Sequence, residues 1–102
     1  MICRYWRGWA VEEKAGAFED LLRKKVLPDI KVKGYRGAYV MHREMAGTVE
    51  IATLTLWDSI EAVKEFAGEN YQTAVVSAET RALLTNFDKV CVHYESVMEP
   101  GK

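Results

Sequence analysis

The chain has 102 residues, enough for one domain with one core. Hydrophobic residues make up 49% and charged residues 28%, a balance that excludes disorder. With 14 Lys and Arg against 15 Asp and Glu the net charge is −1, so no basic excess exists to neutralise phosphates and nucleic acid is not an expected partner.

The first ten residues, MICRYWRGWA, hold Arg4 and Arg7 and no long apolar run. They predict neither a signal peptide nor a membrane span, and a cytoplasmic location is expected. Ile2 to Trp9 alternates two sets, Ile2, Arg4, Trp6, Gly8 and Cys3, Tyr5, Arg7, Trp9. Aromatics fall in both sets, which predicts a central strand covered on both faces. From Val11 the period changes to a helical stripe of Val11, Ala15, Phe18, Leu21 and Leu22, with acidic residues early and Arg23, Lys24, Lys25 late. Pro28 ends that helix near Val26 to Leu27.

YRGAYVMHREM and TVEIATLTLW then read as two strands joined by Ala46-Gly47. This register sets Arg43 opposite Glu50. It puts Ala38, Val40 and His42 on one face with Ile51, Thr53, Thr55 and Trp57. Tyr39, Met41, Ala52, Leu54 and Leu56 share the other. Asp58 or Ser59 caps a second helix, with Glu61 completing a capping box after Asp58, and Ile60, Val63, Phe66 and Ala67 form its buried stripe. Gly68 stops it. Tyr71–Val76 and Ala78–Leu84 read as short helical pieces, the latter capped by Ser77, and KVCVHYESV is the last strand. The order β-α-β-β-α-β predicts an α+β, ferredoxin-like domain over residues 1–97, with a tail at 98–102. Its four-stranded antiparallel sheet would carry helices on one face. The other face is apolar as well, which predicts a homodimer through Tyr39, Met41, Ala52, Leu54 and Leu56.

The chain resembles the dimeric α/β barrel superfamily, in particular its antibiotic-biosynthesis-monooxygenase-like branch. MICRYWRGW, VEIATLTLWDSIEAVKEFAG and VCVHYES carry the likeness, with strand-Trp-Asp-Ser-helix its most telling part. The resemblance implies two ferredoxin-like subunits packed sheet to sheet, each with a pocket between its own sheet and helices. Cofactor-free quinone-forming members use a pocket Trp that Trp57 matches. Their Asn four residues earlier is Thr53 here, their helix Tyr is Val63, and their later Arg is Arg81. The haem-degrading relatives need an Asn, a Trp and a His at positions that fall near Tyr5, at Phe66 and near Val76, so haem degradation is disfavoured.

The residues that carry chemistry are few. Trp57 is placed to stack on a planar ligand or to plug the core. His42 is a proton-acceptor candidate, with Arg81 beside it as the second catalytic candidate. Thr53 and Thr55 offer hydroxyls. Arg7, on the face of Tyr5, would hold an acidic group of a ligand or else an ion pair with Glu50 or Glu95. Cys91, His93 and Glu95 alternate on one strand, but three groups in line do not converge on an ion, and no metal site is expected. No phosphate loop, nicotinamide or flavin motif is present, so no cofactor is expected. Cys3 and Cys91 are expected as free thiols. Two functions fit: a cofactor-independent oxygenase of small phenols or quinols, and a non-catalytic small-molecule-binding or structural homodimer.

Overall fold

Strand β1 (Ile2–Val11) is the centre of an antiparallel sheet in a computed structural model that describes residues 1–101. Lys102, the end of the expected tail, lies outside the described residues. On one side β1 pairs with β3 (Thr48–Trp57), from Ile2 opposite Trp57 to Val11 opposite Thr48. Strand β2 (Tyr35–Met45) pairs with β3 in the expected hairpin, Met45 opposite Thr48. Gly47 supplies the positive φ (75°) that closes the two-residue turn. Arg43 binds Glu50 through two hydrogen bonds of 3.1 and 3.3 Å, which pins the register.

Two expectations are corrected on the far side of β1. The last strand is broken into β4 (Asn86–Phe87) and β5 (Val92–Glu95), both paired with β1. Phe87 lies opposite Gly8 and Val92 opposite Tyr5, so Asp88, Lys89, Val90 and Cys91 must fit beside only Arg7 and Trp6. The surplus bulges outward and finds its own partner: Thr73 bridges Val90, Ala74 N–H donates to Lys89 O (2.9 Å) and Cys91 N–H to Gln72 O (2.7 Å). Residues 71–76 are therefore not helical: Tyr71 and Gln72 lie in a turn, and from Thr73 this ladder satisfies the backbone while Thr73, Val75 and Val76 favour extension.

The helices lie on one face of the sheet. Helix α1 (Glu12–Leu21) runs into a π-helical turn, Leu22–Val26, in which Leu27 N–H reaches back to Leu22 O at 2.9 Å. Helix α2 (Ile60–Ala67) is capped by Ser59, whose Oγ accepts from Ala62 N–H at 3.2 Å. No capping box forms there. Asp58 instead takes a two-pronged bond from Arg36 (2.6 and 2.7 Å). Gly68 (φ 88°) ends α2, and α3 (Ala78–Leu83) is capped by Ser77 as expected. Among the described residues no helix is long and apolar enough to cross a membrane.

Two buried clusters form the core. Trp6, Ala10, Ala15, Phe18, Leu22, Val49, Ile51 and Cys91 make the first, and Ile30, Trp57, Ala62 and Val63 the second. Both stand on the inner face of β1 and β3, at opposite ends.

Candidate functional site

Between the clusters, the inner face of the sheet turns polar. The register sets Arg4 opposite Thr55 and Trp6 opposite Thr53, and Arg4, Thr53 and Thr55 are all buried. A cavity of about 70 Å³ lies there. Its floor is Arg4, Thr53 and Thr55. Phe18, Leu22, Val26, Leu27 and Ile30 wall one side, with Val26 and Leu27 turned inward at the π-helical turn. Phe66, Ala74, Thr80 and Cys91 close the rest.

Arg4 is the pole of this cavity. It is 5% exposed, and its guanidinium donates to the backbone carbonyls of Tyr71 and of Thr73 (3.4 Å). Nη1 also lies 3.1 Å from Nε2 of His93. These contacts tie β1 to residues 71–73 and to β5. The carbon of the guanidinium lies 5.9 Å from the Phe66 ring. Burial pulls the Arg4 pKa down, and the Cys91 sulfur opposes this weakly. Burial pushes the Cys91 thiol up, so it stays protonated near neutral pH.

The structure brings together some of the residues singled out by sequence and separates others. Thr53 and Thr55 line the cavity. Trp57 sits one step beyond it, fully buried in the second cluster against Tyr35 (5.1 Å between ring centres) and Phe66 (5.5 Å). Its Nε1–H donates to Thr55 Oγ1 at 2.8 Å. It thus braces the wall residue Phe66 and orients the floor residue Thr55 without lining the space. Val63 is fully buried in the same cluster.

His42 is on the inner-face register but at the exposed end of β2, where Nδ1 meets Glu19 Oε2 at 2.6 Å. Arg81 is exposed on α3, its guanidinium 5.5 Å from the Phe87 ring. Neither lines the cavity. Tyr5 and Arg7 alternate with Arg4 and Trp6, so they stand on the outer face with Leu54 and Ala52. Arg7 pairs with Asp88 at 2.9 Å, a partner from the bulge in place of Glu50 or Glu95.

Sequence reading passed over Arg4 as a site residue. The signal was present, since a lone arginine shares its strand face with Ile2 and Trp6. What could not be read was its neighbours, because β1 meets β3 and β5 only across long stretches of chain. Cys91, at the bulge, lines the cavity, while His93 bonds Arg4 and packs edge-on to Tyr71 at 5.1 Å. Among the described residues no group of three or more His, Cys, Asp and Glu is placed to hold a metal ion. Both cysteines are free.

The outer sheet face has no covering layer in the single chain. Tyr39 is 56% exposed and Met41 44%, beside half-buried Tyr5, Leu54 and Leu56.

No protein-family model and no curated protein sequence matches this chain. Solved structures do. The Rv0793 protein of Mycobacterium tuberculosis is 19% identical, with 98% of each chain covered and a TM-score of 0.67. A Bacillus cereus protein described as an antibiotic biosynthesis monooxygenase is 16% identical over 99% of this chain and 97% of its own, TM-score 0.68. A variant of MhuD, solved with two manganese protoporphyrin IX molecules per active site, is 19% identical over 98% and 99%, TM-score 0.55. The chain shares the ferredoxin-like α+β fold of these proteins. The third likeness raises the question of a porphyrin, and the residues here do not fit one. Of the two histidines, His42 is outside the cavity on Glu19 and His93 has its Nε2 against Arg4. Neither is a free axial ligand. A cavity of about 70 Å³ also lies far below the ~300–1,000 Å³ of drug-sized ligand pockets.

Proposed function

We propose that the chain encloses a one-ring phenol or quinol between sheet and helices and lets dioxygen oxidise it without a cofactor. The observation that carries this reading is the polarity of the cavity: its walls are mostly apolar, Thr80 and Cys91 apart, and its one charge and two hydroxyls gather at the Arg4–Thr53–Thr55 floor. That division matches a molecule with one aromatic body and one oxygen-bearing end. Size restricts the class further. At about 10–15 Å³ per water, a cavity near 70 Å³ admits about five to seven waters. Their share of liquid volume, about 150–210 Å³, is that of a single substituted ring. The likeness in fold to a protein described as an antibiotic biosynthesis monooxygenase supports the oxidative chemistry.

In this reading the oxygen of the ring lies at the floor, where Arg4 favours its ionised form and Thr53 and Thr55 orient it. The phenolate supplies its own electrons. It loses the O–H proton and one ring C–H proton, one oxygen atom of dioxygen ends on the ring as the second quinone carbonyl, and the other leaves as water. The apolar walls keep bulk water from the reacting carbon.

A second reading, binding without chemistry, has its own support. No free proton acceptor stands at the cavity, since His42 is remote and the Nε2 of His93 already faces Arg4. Under either reading two chains associate through the outer sheet face, because an apolar face with Tyr39 and Met41 exposed favours burial against a copy of itself.

Binding of a panel of one-ring phenols and quinols, followed by oxygen uptake with the binders, tests this. Binding with protein-dependent oxygen uptake and quinone formation is the expected result. Binding without uptake selects the second reading, and no binding removes both.

A further inference from the structure

The arginines of this chain differ in environment, and Arg81 is exposed against the Phe87 ring with no carboxylate paired to it among the described residues. Arg7, Arg23, Arg36 and Arg43 each pair with a carboxylate, and their side chains are 40–68% exposed. Arg4 is buried, and no carboxylate among the described residues pairs with it. This inverts the usual rule, in which a buried charge is the one that needs a counter-ion. The two carbonyls and the imidazole solvate the guanidinium but leave its unit charge intact. A guanidinium carries five N–H donors, and the contacts to Tyr71, Thr73 and His93 use three. The others have no acceptor among the described residues, and since no fully buried side-chain nitrogen there lacks a partner, Nε keeps accessible surface.

We infer that the cavity takes its aromatic ligand as a monoanion, a phenolate or an aromatic carboxylate, with Arg4 as the counter-ion. The inference rests on the reading of the cavity as a ligand site and adds the charge of what fills it. The groups facing Arg4 from each neighbouring element agree with this. β3 offers the Thr55 hydroxyl, α2 the Phe66 ring, β5 the His93 imidazole, the bulge the Cys91 thiol, and residues 71–73 the Tyr71 and Thr73 carbonyls. None brings a carboxylate that would compete for the cation. Arg4 is only 5% exposed, and an anion near a buried, uncompensated guanidinium gains more than on the surface. Arg4 also has a structural use, tying β1 to residues 71–73. That use alone would give no preference between a charged ligand and its neutral isostere.

Calorimetric titration of the wild-type protein with benzoate and with benzamide separates the two. Benzoate is expected to bind at least about tenfold more tightly. Absorbance titration of para-nitrophenol with pH, free and in the presence of saturating protein, gives a second readout. The bound phenol is expected to ionise about one pH unit lower than the free one. Arg4→Lys should keep much of the benzoate preference and Arg4→Gln should level it. If Arg4→Gln does not fold, the wild-type comparison decides alone. Equal binding of benzoate and benzamide, or a bound phenol that ionises no lower than the free one, overturns the inference while the cavity remains a ligand site. If none of the three molecules binds, the ligand-site reading fails and this inference falls with it.

Discussion

Nη1 of Arg4 and Nε2 of His93 stand 3.1 Å apart, joining the central strand to the last one across the cavity edge. Arginine only donates, so the imidazole must accept at Nε2 and carry its proton on Nδ1. The neutral ring is therefore the form the fold holds. Burial first, and the Arg4 charge second, keep the His93 pKa below its ordinary value of 6.5.

This makes a prediction about acid. In the unfolded chain the imidazole takes its proton near pH ~6.5, before the folded form does. The contribution of the neutral ring is thus complete above that pH and is lost as pH falls below it, toward and through the lower folded-state value. Urea unfolding of wild type and His93→Gln at several pH values should show their stability difference narrowing from neutral pH to about pH 5. A gap that widens toward acid would contradict the assignment.

Trp57 and Thr55 act as one unit. Trp57→Ala should cost about 3–5 kcal/mol, as a buried aromatic truncated without repacking does. Thr55→Val keeps shape but removes the acceptor of the Trp57 N–H, and should cost about 1–3 kcal/mol. In a domain of this size each kcal/mol lowers Tm by about 4–8 °C, so thermal unfolding resolves the two variants. A Trp57→Ala variant as stable as wild type would mean that the indole lies at a wet surface.

The outer face gives an independent prediction. Leu54→Glu puts a carboxylate in the middle of that face, opposite Tyr5 on one side and Tyr39 on the other. Sedimentation should show wild type as a dimer and the variant weakened by about 30-fold or more, the size of an interface hot spot of about 2 kcal/mol. Wild type that stays monomeric at micromolar concentration would remove the proposed interface.

Periodicity made the hairpin, its Arg43–Glu50 pair and the division of β2 and β3 into two faces legible, because those relationships are local in the chain. It also separated Arg4 from Arg7, since alternation alone puts them on opposite faces. It did not show which face of β1 meets Thr53 and Thr55, because that pairing is closed across a helix and a loop. Residues 71–76 read as helical because their partner, the bulge at 88–91, is not foreseen from either segment alone. The same bulge creates the Arg4 environment, which explains why Thr53 and Thr55 were identified and their cationic neighbour was not. Chemistry and resemblance point to His42 and Arg81; the fold sets both at its exposed margins.

The central claim is that a small aromatic ligand enters the seam between the two core clusters and nowhere else. NMR titration with a one-ring phenol tests it most directly, with backbone and side-chain resonances followed to saturation. The account predicts shifts at Arg4, Thr53, Thr55, Phe66 and Cys91, with Tyr39 and Met41 unmoved. Shifts confined to the outer sheet face, or a saturating phenol that leaves Arg4 and Thr55 unperturbed, would contradict it.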